Sequence, residues 1–136
     1  MGLNVYLFFN GNCEEAMNFY VTSIGGKVDM LQRYSDTPMP CDEAQKNKIM
    51  HATFTIKGSK VMCSDSSTAK TIAFGDNFSM ALDYTDPAEM KAAYDKLSAG
   101  GIATMPLQDT FWGATFGMCT DKFGINWMFN HDKPKP

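Results

Sequence analysis

Shifted by 74 residues, the chain lies over itself: Asn12 falls on Asp86, Glu15 on Glu89, Tyr20 on Tyr94 and Gly26 on Gly100. A shift of 66 brings Gly58 onto Gly124, a glycine between two strand-like runs in each half. Each half therefore reads as a strand, a helix and three further strands, and an internal repeat constrains architecture more firmly than any local propensity. One βαβββ unit is too small to bury the inner face of its sheet alone. Two predict an α+β chain in which two curved, mixed β-sheets pair into a cup with the helices outside. The inner face of such a cup is where a small molecule binds. The expected boundaries are one domain over 1–136, with a first module at 1–65, a linker at 66–77 and a second module at 78–131.

Local signals fill in the frame. Leu3 to Phe9 is an apolar run rich in aromatic and branched residues, ended by Gly11, and reads as a strand. Asn12 followed by Glu15 is a helix-start pattern, in which side-chain oxygens satisfy the free N–H groups of the first turn. Ala16, Phe19, Tyr20 and Ile24 share one helical face, and Gly25-Gly26 ends it. Lys27 to Tyr34, Ile49 to Ile56 and Ser59 to Ser64 read as strands, the last two joined at Lys57-Gly58. Residues 35–48, with Pro38, Pro40, Cys41 and Asp42, predict a long loop, either a surface insertion or a binding lid. In the second half, Phe78 to Tyr84 is a strand, and Asp86-Pro87-Ala88-Glu89 repeats the cap with proline at the first helical position. Met90, Ala93, Tyr94 and Leu97 form the apolar stripe. Thr110 to Phe129 then predicts two strands turned at Asp121-Lys122-Phe123-Gly124 and carrying both tryptophans.

Charge and cysteine usage exclude several classes. The net charge is −3, Arg33 is the single arginine, and the lysines are scattered, so no basic stripe exists to neutralise phosphates and no nucleic acid partner is expected. No apolar run reaches the roughly 18 residues of a membrane span, and residues 1–10 lack a secretory signal pattern, so a cytoplasmic chain with no membrane partner is expected. Cys13, Cys41, Cys63 and Cys119 form no C-x-x-C pair and are expected as free, inert thiols. There is no G-x-S-x-G elbow, and no base is spaced to activate Cys63. Asp65 and Asp121, each near a hairpin, read either as turn formers or as a carboxylate pair.

On these duplicated modules, the opening FFNGNCEEAMNFY of Phe8 to Tyr20 and the ending TFWG…G…DKFGINWM of Thr110 to Met128 carry a resemblance. The chain resembles the PhnB-like branch of the vicinal oxygen chelate superfamily, which holds glyoxalase I, bleomycin-resistance proteins and extradiol dioxygenases. The likeness covers almost the whole chain. Some members bear the name 3-demethylubiquinone 3-methyltransferase, although the sequence has no glycine-rich loop for a methyl donor. For the metal enzymes, the resemblance implies one ligand on the first strand and one on the last strand of each module. Carried over, these positions fall near Val5 and Ser79, and near Met62 and Met128. A slip of one residue brings Asn4, Tyr6, Val61, Cys63, Phe78, Met80, Trp127 or Phe129. None is a usual ligand for a hard divalent ion, which takes carboxylate oxygen or imidazole. No cofactor is therefore expected. The resemblance implies a small-molecule binding protein of the glyoxalase/bleomycin-resistance type, without metal-dependent catalysis. The alternative is a metal-dependent lyase, isomerase or dioxygenase, which needs ligands from unexpected positions such as His51 with Asp65.

The expected ligand-binding residues are Trp112, Trp127, His51, Met62, Met128, Tyr34 and Gln108. Each has a plainer reading beside it. The tryptophans are an aromatic wall or core packing, the methionines an adaptable lining or core filling, and His51 a pocket group or a structural hydrogen-bonding residue. His131, in the polar tail, is expected in solvent. The partner is an unidentified small molecule, and a homodimer is expected, its cups formed within one chain or by exchange of modules.

Overall fold

The computed structural model describes residues 2–38, 40–66 and 71–134; residues 67–70 of the expected linker lie outside the described residues. The chain divides into two compact units between Ala73 and Phe74. In the first, β1 (Val5–Phe9) leads into α1 (Cys13–Tyr20), which continues as one wide π-helical turn over Val21–Gly25. Then follow β2 (Gly26–Arg33), a 3-10 turn at Tyr34–Asp36, β3 (Ile49–Ile56) and β4 (Ser59–Asp65). The sheet order is β1-β4-β3-β2, with β1 parallel to β4 and the other pairs antiparallel. The second unit repeats the plan with β5 (Met80–Asp83), α2 (Pro87–Ser98), β6 (Ile102–Asp109), β7 (Ala114–Thr120) and β8 (Asn126–Asp132), ordered β5-β8-β7-β6. The fold is α+β: two βαβββ modules, each a mixed four-stranded sheet with one helix.

Each module builds its core between its helix and one face of its sheet, as strand alternation requires. Leu7, Phe9, Phe54, Val61 and Cys63 are buried with Ala16, Met17 and Tyr20 of α1. The Tyr20 and Phe54 rings lie 6.0 Å apart, and Cys63 Sγ is 3.9 Å from Met17 Sδ. In the second module the buried residues of α2 are the expected stripe of Met90, Ala93, Tyr94 and Leu97, with Tyr94 set edge-on to Phe129 at 5.1 Å. The doubled glycine after each helix has a two-part cause. Gly25 and Gly100 take positive φ (92° and 77°), which glycine adopts without steric cost. Gly26 and Gly101 pass so close to the Thr55 and Thr120 carbonyls that a Cβ would fall on the oxygen.

Several local expectations are corrected. Asn12 makes no side-chain cap to α1. That role belongs to Asp65 at the end of β4, whose Oδ1 accepts from Gly11 N (2.9 Å) and Cys13 N (3.0 Å), while Oδ2 accepts from Ile49 N (2.9 Å). Asp86 does cap α2, accepting from Ala88 N. Strand β5 starts at Met80 rather than Phe78, because the Phe78 carbonyl accepts from the Asn126 side chain before the ladder to β8 begins. Trp112 is not in a strand: it sits in the tight connection from β6 to β7, closed by Thr110 N donating to Ala114 O, with Gly113 at φ 86°. The two hairpins differ in type. Lys57 and Gly58 both have positive φ, as a two-residue type I′ turn needs, whereas the second spans Asp121 to Ile125. His131 lies within β8, half-buried, its Nδ1 donating to Tyr84 O at 3.0 Å.

Asp65 is 3% exposed and serves three backbone donors, so truncating it leaves all three unpaired in the interior. Asp65→Ala is expected to lose about 3 kcal/mol or more, since hydrogen bonds to charged groups are worth roughly 1.5–3 kcal/mol each and are not additive. Asp86→Ala, at an exposed cap, is expected to lose about 1 kcal/mol. Urea unfolding of the two variants checks the contrast, and equal losses would refute the assignment.

Candidate ligand-binding site

The register sorts the expected site residues between the two faces of each sheet. In the first module Tyr6 and Thr53 are each paired with Met62, and His51 follows the same alternation two residues before Thr53. Tyr6, His51, Thr53 and Met62 therefore share the face turned away from α1. Tyr6 Oη and His51 Nδ1 are joined at 3.0 Å, their rings 5.6 Å apart, and the Phe8 ring lies 4.8 Å from that of Tyr6. His51, Tyr6 and Met62 are half-buried. With Nδ1 engaged by the tyrosine hydroxyl, Nε2 is the ring atom left for a ligand. The pair can orient a carbonyl or hydroxyl above an apolar floor of Met62 and Phe8.

Met128 occupies the corresponding place in the second module, paired with Ala81 on β5 and Met118 on β7. Phe116 shares this face and pairs with Gln108, which is exposed on β6. Trp112 stands 57% exposed at the β6 to β7 turn, edge-on to Phe111 at 5.0 Å and 6.1 Å from Phe116. Trp127 is on the opposite face: it is fully buried, and its Nε1 donates to Asp121 Oδ2 at 2.8 Å. Tyr34 starts the 3-10 turn, donates its hydroxyl to Asp65 O at 2.9 Å, and lines a cavity whose walls include none of Tyr6, His51 and Met62. The structure thus brings His51 and Met62 to one face of the first sheet, and places Met128 and Gln108 on one face of the second sheet, on strands separated by β7. It places Trp127 and Tyr34 elsewhere.

The first-strand position implied by the superfamily needs one correction. Val5 pairs with Val61 and has the alternation of Leu7 and Phe9, toward α1, whereas Tyr6 is the residue beside Met62. In the second module Ala81 lies beside Met128, two residues along the same face from Ser79. Tyr6, Met62, Ala81 and Met128 offer a phenol, two thioethers and a methyl group. These donors do not fit a hard divalent ion, which takes imidazole and carboxylate. Among the described residues no group of three or more His, Cys, Asp or Glu is placed to hold a metal. In the sequence Tyr6 stands only as a one-residue slip from Val5, because an apolar run hides its own register. The hydroxyl in such a run was the available signal.

Asp65 and Asp121 each anchor groups of their own module. Asp121 Oδ1 accepts from Phe123 N (2.7 Å) and Ile125 N (3.1 Å), and its other oxygen holds Trp127. The two do not correspond in the repeat, since Asp65 ends β4 and Asp121 follows β7.

Comparison with known proteins gives a consistent picture. The family model described as 3-demethylubiquinone-9 3-methyltransferase matches residues 2–129. Protein YjdN of Escherichia coli (strain K12) is 33% identical, over 100% of this chain and 99% of that protein. The structure of PA1353 from Pseudomonas aeruginosa is 36% identical with TM-score 0.85, covering 98% of this chain and 100% of that one. The PhnB protein of Bacillus cereus is 30% identical with TM-score 0.83, covering 96% and 99%. In fold alone, the chain is also similar to a glyoxalase/bleomycin resistance protein from Albidiferax ferrireducens T118, at 11% identity, TM-score 0.59 and 99% and 100% coverage.

The thiols complete the chemical inventory. Cys13, Cys63 and Cys119 are buried and Cys41 is exposed. Burial, followed by the nearby Asp121 carboxylate, pushes the Cys119 thiol up to about 12. The Cys13 thiol is raised further, first by its hydrogen bond with Cys63 and then by burial. Raised pKa values keep both protonated at neutral pH and disqualify them as nucleophiles. An aromatic disulfide reagent at pH 8 is expected to titrate one thiol rapidly in native protein and four after denaturation. A second fast thiol would overturn this assignment.

Proposed function

The chain belongs to the 3-demethylubiquinone-9 3-methyltransferase family, in the PhnB-like branch of the vicinal oxygen chelate superfamily, and on that premise we propose that it binds a small molecule without a divalent metal. The observation that carries the reading is the Tyr6–His51 pair, set beside Met62 on the first sheet's face away from α1, where the metal enzymes keep hard ligands. The ligand is a flat, mainly apolar molecule with a carbonyl or hydroxyl for His51. In the second module, taken by itself, Met128, Phe116 and Gln108 share one sheet face.

The methyltransferase description of the family receives no support from these residues. Both strand-to-helix junctions meet a carboxylate, Asp65 at α1 and Asp86 at α2, rather than a glycine-rich turn that receives a nucleotide-like donor. We also read the chain as a homodimer in the cytoplasm. Free thiols fit a reducing compartment, and the exposed Leu3 and Phe111 are large apolar groups for a second copy to cover. Light scattering is expected to return twice the mass of one chain, and a monomer mass would end the dimer reading.

Metal analysis tests the central claim. Protein purified without chelator or immobilised nickel is expected to retain well under one zinc, manganese, nickel or iron per chain. Titration with these ions is expected to leave the emission of Trp112 and Trp127 unchanged. About one metal per chain that survives dialysis and is lost in His51→Ala would sink the proposal in favour of a metal-dependent lyase, isomerase or dioxygenase.

A further inference from the structure

A second feature of the first module stands apart from the Tyr6–His51 face. Between the Tyr34 turn, residues 40–45 and Met50 lies a cavity of about 420 Å³, within the range of small-molecule sites, roughly 300–1,000 Å³. Tyr34, Pro40 and Met50 give it apolar walls; Cys41, Asp42 and Gln45 give it polar ones. Its base is held firmly. Tyr34 N donates to Lys48 O (3.1 Å), Ser35 N to Lys46 O (3.0 Å), and Arg33 Nη1 to Asn47 O (2.9 Å).

Two acceptors in this cavity are unused. Gln45 Oε1 is buried and has no hydrogen-bond partner among the described residues, whereas native interiors satisfy nearly all such atoms. Asp42 carries a carboxylate that no described lysine or arginine pairs. The neighbouring cations are engaged elsewhere: Lys46 with Glu43 at 2.7 Å, Lys48 Nζ with Gly11 O at 2.9 Å, and Arg33 with both oxygens of Glu14. A buried orphan acceptor beside an unpaired carboxylate, with aromatic and thioether walls, selects a donor-only group on an apolar body. We propose that this cavity is a binding site for a small organic ammonium ion with a flat apolar body. The ammonium donates to Gln45 Oε1 and neutralises Asp42 while the body packs on Tyr34 and Met50. This site is separate from the sheet-face reading and does not depend on it.

Cys41 lines the cavity and is the exposed cysteine, so it reports occupancy directly. The experiment follows alkylation of Cys41 by neutral iodoacetamide, read by intact mass, with phenethylamine, phenethyl alcohol and 3-phenylpropionate as matched probes. Phenethylamine is expected to protect Cys41 at concentrations at least about tenfold below the alcohol, and the carboxylate not at all. Loss of one charge-assisted hydrogen bond corresponds to about tenfold or more. Gln45→Leu, which keeps the volume, and Asp42→Asn at the surface are each expected to raise the half-protecting concentration about tenfold. Protection in each variant is read relative to that variant's own alkylation rate without probe, since Asp42 adjoins the Cys41 thiol, and Tyr6→Phe should leave the half-protecting concentration unchanged. Absence of protection by phenethylamine, equal protection by the carboxylate, or protection unchanged in both Gln45→Leu and Asp42→Asn would overturn the proposal.

Discussion

The first module depends on one buried carboxylate. Asp65 receives Gly11 N and Cys13 N on one oxygen and Ile49 N on the other, while its own carbonyl accepts the Tyr34 hydroxyl. Its backbone pairs with Phe9 in β1. The start of α1 and the start of β3 therefore meet at its side chain, and the ends of β1 and β4 and the Tyr34 turn meet at its backbone. An anion is costly to remove from water, and here the cost is offset by three N–H donors and the positive end of a helix. Because the ligands of this carboxylate are backbone groups, it fixes where elements sit without specifying their side chains. The face bearing Tyr6, His51 and Met62 is free to vary.

The second module solves the same problem with a different aspartate. Asp121 ties its own hairpin through Phe123 N and Ile125 N and anchors the indole of fully buried Trp127. Helix α2 needs no such help, since Asp86 and Pro87 cap it locally. Duplicated architecture has thus been kept while its internal anchors diverged. Asp65 joins elements distant in sequence, and Asp121 joins residues within six positions.

That difference explains what could be read from the chain. The repeat, both helices, their glycine stops and the α2 stripe are local patterns, and the structure contains them. The capping of α1 was not legible from Asn12 and Glu15, because the group that caps it lies over fifty positions away. Trp127 and Trp112 look alike as aromatic residues in one apolar stretch. Only strand alternation and the Asp121 contact distinguish a core indole from one at an exposed turn. His51 was identifiable as a polar residue in a strand, yet its partner Tyr6 emerges only once β1 is set in register on β4 and β3.

The modules differ most where β2 passes to β3 and where β6 passes to β7. The first connection takes residues 34–48 and encloses a cavity; the second takes 110–113 and ends in the exposed rings of Phe111 and Trp112. A four-residue turn has no room for side chains to enclose a volume, so this cavity has no counterpart at the β6 to β7 connection. The sheet faces diverge in the same sense. Tyr6 and His51 bring polar atoms to the first face, while the second offers Ala81, Phe116 and Met128. The pairs Tyr6 with Met62 and Ala81 with Met128 likewise leave the repeated strand positions without the matched hard donors that a divalent ion requires.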